Sequence, residues 1–158
     1  MSRFVKIAAV ALVGAFLVSS VSAGGIFSAF GGSYRGTGRV SDVNGKSEPL
    51  TCRSTNAPAP DGIAMNLSLI CASDSFRVDF HADLYTDGQN LHGAWSETTR
   101  SVNGNVSGTI TPSVIEATTS APGFSAKIVI QVEKNGRLEI TLSADGTRIN
   151  HVQVTMKK

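Results

Sequence analysis

Residues 76–85 read FRVDFHADLY, and their alternation indicates the class of fold. The apolar residues Phe76, Val78, Phe80, Ala82 and Leu84 alternate with Arg77, Asp79, His81, Asp83 and Tyr85. Strict alternation is typical of a β-strand that has one face in a core and the other in solvent. The same pattern recurs over 63–69, 124–132 and 138–142. The sequence therefore predicts an all-β domain.

Turn signals separate these alternating segments. They are Asn44-Gly45, Pro60-Asp61-Gly62, Asp87-Gly88, Asn103-Gly104, Asn135-Gly136 and Asp145-Gly146, whose residues tolerate the positive φ of tight hairpins. We predict strands near 34–41, 47–55, 63–71, 75–85, 90–99, 105–111, 114–119, 124–133, 137–143 and 148–156. An antiparallel meander of about 8–10 strands hides its two edges by closing or by stacking two sheets. We expect a closed or nearly closed β-barrel, with a β-sandwich as the alternative.

The first 23 residues have the three parts of a secretory signal. A basic start at Arg3 and Lys6 precedes an apolar run over 7–18, and Val21-Ser22-Ala23 forms a small-residue exit. The apolar run is shorter than the roughly 20 residues that span a membrane. We expect a signal peptide over 1–23, cleaved after Ala23, a periplasmic or secreted location, and no membrane span in the mature protein.

The mature chain is predicted to form one domain over 34–158, preceded by a glycine-rich leader over 24–33. The leader contains Ile26, Phe27 and Phe30. It is either flexible, which is the expectation we adopt, or a plug packed on a barrel mouth. Cys52 and Cys71 both lie in the exported part, where disulfides persist. Because they fall on adjacent predicted strands, we expect them to form a disulfide.

Charge excludes one class of partner. Loss of Arg3 and Lys6 reduces the 14 Lys and Arg to 12, which balances the 12 Asp and Glu. Nucleic-acid binding requires a clustered basic face, usually with interleaved aromatic residues, and the mature sequence shows neither. We therefore predict no nucleic-acid partner.

The most suggestive segment for function is residues 91–97, LHGAWSE, which contains the only Trp of the chain. Trp95 shares a strand face with Leu91, Gly93 and Glu97. A buried core anchor is the ordinary interpretation of such a Trp. The functional alternative is a Trp that lines a ligand cavity, with Glu97 at its rim. Tyr34 is the third candidate ligand-binding residue, because Gly36 and Gly38 on its face leave room for a close approach.

Catalytic chemistry has little support in the sequence. Asp79, His81 and Asp83 share one face of a strand and could hold a divalent metal, but alternation also makes that face an ordinary solvent-facing one. The nucleophile elbow G-x-S-x-G and the phosphate-binding loop are absent. We predict no catalytic residue, no metal site and no cofactor.

The pattern resembles a group of short exported proteins of alphaproteobacteria to which no activity is assigned. The resemblance rests on residues 32–38 (GSYRGTG), 52–53 (CR), 71–76 (CASDSF) and 93–97 (GAWSE), and it carries over no site residues. Calycin-like barrels such as lipocalins are similar in their meander and their Gly-x-Trp element, which here lies in mid-chain at Gly93-Ala94-Trp95. Small periplasmic barrel inhibitors of metalloproteases are similar in size and in their single disulfide, with residues 24–32 as a loose counterpart of the inhibitory arm.

Three hypotheses of function follow. The first is a non-enzymatic periplasmic β-barrel that binds a small apolar ligand or an envelope partner. The second is a protease inhibitor or protein-interaction module that acts through its N-terminal arm. The third is an unrecognised hydrolase or metal-dependent enzyme with its site around His81 or His92.

Overall fold

The computed structural model describes residues 24–158 as a closed antiparallel barrel. A 3-10 turn, η1 (Ser28–Phe30), precedes the strands. The strands are β1 (Gly32–Asp42), β2 (Ser47–Pro58), β3 (Ala64–Ala72), β4 (Arg77–Asp87), β5 (Asn90–Glu97), β6 (Val102–Ile110), β7 (Val114–Ala121), β8 (Phe124–Val132), β9 (Leu138–Asp145) and β10 (Ile149–Lys157). The predicted signal peptide and its cleavage site lie outside the described residues. No helix in the part that is described is long and apolar enough to cross a membrane.

The barrel closes because β1 pairs with β10 as well as with β2. All other neighbours are consecutive in sequence, so the topology is an up-and-down meander without a sheet edge. The strands tilt strongly around the barrel axis, as closure requires. One row of residues paired across neighbouring strands shows this tilt. It starts on β1 near one end of the barrel and reaches β4 near the other end. The row consists of Val40, Val152, Leu142, Ile128, Ala117, Gly108, Leu91 and Thr86.

All ten predicted strands are present, and the barrel rather than the sandwich is confirmed. One predicted turn is wrong. Asn103-Gly104 lies inside β6, and Gly104 is not among the glycines with positive φ. The connection between β5 and β6 instead uses residues 98–101, where Ser101 has a φ of 55°. The dipeptide carries a turn signal, but Gly104 is needed for space beside Trp95, as described below.

The leader is not the flexible segment that we expected. Phe27 and Phe30 are fully buried in the core cluster, and η1 contacts β2. Asn56 on β2 donates from Nδ2 to the carbonyl oxygen of Phe30 at 2.9 Å, and Ser54 donates from Oγ to Asn56 Oδ1 at 2.6 Å. Residues 24–31 therefore form a plug, the second of the two alternatives. The apolar area of two phenylalanines explains why it packs.

The predicted disulfide joins Cys52 on β2 to Cys71 on β3. The two residues are directly opposite each other in the ladder, with a Cα–Cα distance of 4.2 Å, and both face the buried interior. Gly36 and Gly38 on β1 allow the close approach expected there. A Cβ at either position would collide with a carbonyl oxygen of β10.

Candidate functional site

The two ends of the barrel differ in how well they are sealed. At the end that holds the plug, which we call the plugged end, six inward-facing side chains are fully or almost fully buried: Met65, Leu91, Ile110, Ile115, Leu138 and Met156. Val132 at the same end is partly buried. The opposite end carries the hairpin loops 43–46, 73–76, 98–101, 122–123 and 146–148. Among the described residues, no further helix or strand covers it. We call it the open end.

Nine apolar side chains towards the open end are only partly buried, although others at that end, such as Val40 and Leu50, are almost fully buried. The nine are Leu69, Phe76, Val78, Phe80, Val102, Ala121, Phe124, Ile149 and Val152, all packed against the core cluster. Each of these side chains therefore keeps part of its apolar surface accessible. A large contiguous apolar surface marks a binding surface more often than isolated exposed residues do.

Trp95 lies at the base of this group. Its indole stacks on Phe80 with ring centroids 5.6 Å apart and an interplanar angle of 21°. Phe124 meets it edge-on, also at 5.6 Å, with an angle of 61°. Trp95 is 6% exposed, whereas both phenylalanines are partly exposed. The three rings form an aromatic cluster between the sealed interior and the open end.

Small residues on the neighbouring strands make room for the indole. Trp95 pairs with Ala82 on β4 and with Gly104 on β6. A Cβ at position 104 would collide with the carbonyl oxygen of Ser120 and would lie 2.9 Å from Trp95 Nε1. Trp95 Nε1 is buried and has no hydrogen-bond partner in the described part of the chain. An unsatisfied buried donor costs about 1–3 kcal/mol, so Trp95 combines favourable packing with a polar penalty.

Glu97 lies two residues beyond Trp95, at the end of β5, and is 6% exposed. Its Oε1 accepts hydrogen bonds from the backbone N–H groups of Asp79 and Thr99, at 3.0 Å each, and from the Thr99 hydroxyl. Its Oε2 accepts from the backbone N–H of Arg100 at 3.0 Å and from its guanidinium at 3.3 Å. Both oxygens are therefore engaged by protein donors, which fix the β5–β6 loop to the start of β4.

Two opposing effects act on the Glu97 pKa. Burial is the largest and favours the neutral acid, but the hydrogen bonds from Asp79, Thr99 and Arg100 together outweigh it. The net result is a lowered pKa, so Glu97 is an anion that is fully used in holding the loop. Arg100 also places its guanidinium carbon 4.9 Å from the centroid of the Phe76 ring, which orders one side of the rim.

Tyr34 lies at the plugged end, away from the other two candidates. It is 1% exposed, and its hydroxyl donates to the carbonyl oxygen of Gly31 at 3.3 Å. Lys158 Nζ lies 5.4 Å from the centroid of its ring. The structure thus places Trp95 and Glu97 on one strand near the open end, whereas Tyr34 contacts the plug.

The histidines lie on the outer surface. His81 Nε2 is 3.0 Å from Asp79 Oδ1 without hydrogen-bonding geometry, while Asp83 accepts a hydrogen bond from Asn66. Across residues 24–158, no group of three His, Cys, Asp or Glu side chains is placed to hold a metal ion. His92 stacks on Tyr85, with ring centroids 6.0 Å apart.

The sequence pattern does not identify two rings of the aromatic cluster or the glycine beside it. Alternation predicts the strand faces of Phe80 and Phe124 but not their contact with Trp95, and Asn103-Gly104 predicts a turn. Alternation places each residue on the inner face, but it does not say which inner-face residues meet across the barrel. A glycine opposite the only Trp would indicate this packing. Recognising that pair requires the register between β5 and β6, which the sequence pattern does not give.

Comparison with known proteins identifies the fold alone. No protein-family model matches this chain, and no curated protein matches it. The structure is similar to that of the S-type phycobiliprotein lyase CPES from Guillardia theta, with a TM-score of 0.62 and 12% sequence identity over 84% of this chain and 89% of that one. The likeness shows a shared fold alone, a closed antiparallel barrel.

Proposed function

We propose that this protein is a non-enzymatic binding barrel that accepts a small apolar molecule at its open end. The observation that carries the proposal is the difference between the two ends. Six inward-facing apolar side chains at the plugged end are almost fully buried, whereas nine apolar side chains packed against the core cluster towards the open end are only partly buried. Folding alone favours burial of that surface, so a ligand that covers it would add stability.

The aromatic cluster indicates which class of ligand the open end would bind. Phe80 and Phe124 are partly exposed towards the open end, and both rings pack against the nearly buried indole of Trp95. Aromatic and aliphatic walls with few polar groups are typical of sites for apolar or planar molecules. Glu97 belongs to the proposal as the residue that positions the rim, because its oxygens are engaged by the β5–β6 loop.

The compartment is the periplasm or the cell exterior in this proposal. The Cys52–Cys71 disulfide supports an oxidising environment, and the export signal expected in 1–23 would direct the chain there. The barrel framework is compatible with ligand binding, since the similar structure belongs to a phycobiliprotein lyase. At 12% identity, that likeness supports the framework and transfers no activity.

The test uses the neutral apolar probe 1-N-phenylnaphthylamine, followed through its own fluorescence and through the emission of Trp95. We expect saturable binding that shifts both signals. Val78→Glu places a carboxylate on the inner wall of the open end and should weaken the probe about tenfold or more, because a buried charge is costly. Ile63→Glu is the matched control, since Ile63 is 56% exposed in the loop at the plugged end, and it should change binding less than twofold.

Circular dichroism of both variants establishes that the barrel remains folded. If Val78→Glu does not fold, Trp95 emission in the wild-type protein still decides the question. Probe binding that leaves Trp95 emission unchanged, or binding by folded Val78→Glu that equals the wild type, would contradict the proposal. Native mass spectrometry of protein purified without refolding then identifies a co-purifying molecule, or an envelope protein bound at the same end.

A further inference from the structure

The outer face of the barrel carries a row of cations that the proposed function does not use. Arg35 on β1 pairs directly with Arg53 on β2 and with Lys157 on β10. All three side chains are exposed. Like charges directly opposite each other on adjacent strands are destabilising, by roughly 0.2–1 kcal/mol for such pairs. This arrangement therefore opposes stability in the absence of a counter-charge.

The counter-charge is not supplied by the neighbouring residues. Within residues 24–158, none of the three cations makes an ion pair. The same row continues from Arg53 on β2 through Ile70 on β3 to Asp79 on β4. Asp79 lies two strands from Arg53, and its carboxylate is beside His81 rather than beside an arginine of the row. Arg39, farther along β1, donates to Ser47 and is not part of the row. The positive potential at Arg35 and Arg53 is thus left uncompensated.

A crevice of about 170 Å³ lies at this point on the surface. Its outward-facing lining combines Arg35 and Arg53 with three hydroxyl residues, Ser33, Thr55 and Ser68, and with the apolar Ile70. The three hydroxyl residues are consecutive partners across β1, β2 and β3. One water takes up roughly 30 Å³ of liquid volume, so the crevice has room for an anionic group and its solvation.

We propose that Arg35, Arg53 and the adjoining hydroxyls form a binding site for a phosphate group on the outer face of the barrel. The two guanidinium groups can donate to different oxygens of one tetrahedral phosphate. A single carboxylate has only two oxygens and cannot accept from both groups equally well. Serine and threonine hydroxyls supply further donors. The site is separate from the open end, so it stands or falls independently of the proposed apolar ligand.

The phosphate group can belong to a small free molecule or to a lipid headgroup, and two measurements separate these sources. Inorganic phosphate is titrated at constant ionic strength against chloride, while NMR follows the Nε–Hε signals of the arginines. Sedimentation then compares vesicles of phosphatidylcholine alone with vesicles that also contain phosphatidylglycerol. Wild type, Arg53→Gln, Arg53→Lys and Lys127→Gln are compared, where Lys127 is an exposed cation on β8, outside the row.

Saturable shifts at Arg35 and Arg53 would assign the site to free phosphate. Sedimentation only with phosphatidylglycerol would assign it to a headgroup. In either case Arg53→Gln should weaken binding about tenfold or more, since charge-assisted hydrogen bonds are lost, and Arg53→Lys should restore only part of it. Arg53→Gln relieves a like-charge contact, so its thermal unfolding midpoint should not fall. Absence of both kinds of binding, or an equal loss in Lys127→Gln, would overturn the proposal.

Discussion

Trp95 and Gly104 lie directly opposite each other on β5 and β6, and a Cβ at position 104 would lie 2.9 Å from the indole nitrogen. Because Gly104 has no side chain, it leaves the space that the indole of Trp95, the only Trp of the chain, occupies. Through Trp95 it also determines where Phe80 and Phe124 lie, because both rings pack on the indole. A residue that sequence signals assign to a turn thus shapes the candidate binding site.

Gly104→Ala is expected to destabilise the fold by about 1–3 kcal/mol, since the added methyl group collides with Ser120 and crowds Trp95. The emission of Trp95 should shift as the indole moves. Chemical denaturation and fluorescence measure the two effects. Ser107→Ala, on the exposed face of the same strand, is the control and should stay within about 0.5 kcal/mol of the wild type. Equal stability of the two variants would show that position 104 tolerates a side chain.

Glu97→Gln is expected to cost about 1.5–3 kcal/mol at neutral pH, because charge-assisted hydrogen bonds from the β5–β6 loop are weakened. The pKa of Glu97 is lower in the folded than in the unfolded protein. Its stabilisation is therefore fully present above the ordinary glutamate pKa of about 4.3 and is lost as the pH falls through the lowered folded-state pKa.

Denaturation of wild type and Glu97→Gln across this pH range checks the prediction. The two stability curves should converge in acid and separate as the pH rises. Glu116→Gln, on the outer face of β7, provides the matched control and should follow the wild type throughout. A constant offset between wild type and Glu97→Gln at every pH would mean that the ionised carboxylate is not what holds the loop.

Asn56→Leu is expected to loosen the plug, because the carbonyl oxygen of Phe30 loses the hydrogen bond from Asn56 Nδ2. A buried polar group left without its partner costs about 1–3 kcal/mol. Hydrogen exchange should increase first in residues 26–31, while β5 and β6 remain protected, since local openings need not involve the whole barrel. Asn66→Leu on the exposed face of β3 is the control. Uniform exchange across the barrel in Asn56→Leu would argue against a locally released plug.

The amino-acid sequence predicts the all-β class, the ten strands and the residues that share the inner face with Trp95. Each of these depends on period-two alternation along one segment, which is local information. The disulfide was also predictable, because Cys52 and Cys71 fall on adjacent strands of the meander. The predicted turns at Gly45, Gly62, Gly88, Gly136 and Gly146 have the positive φ that such turns use.

The sequence pattern does not predict which inner-face residues meet, because their contacts depend on the closed barrel. Trp95, Phe80 and Phe124 lie on β5, β4 and β8, so their contact depends on closure and register rather than on sequence spacing. The same applies to the plug, where burial of Phe27 and Phe30 requires a barrel mouth to receive them, and to the cation row across β10, β1 and β2. Alternation fixes the face of each residue, whereas long-range pairing fixes its neighbours.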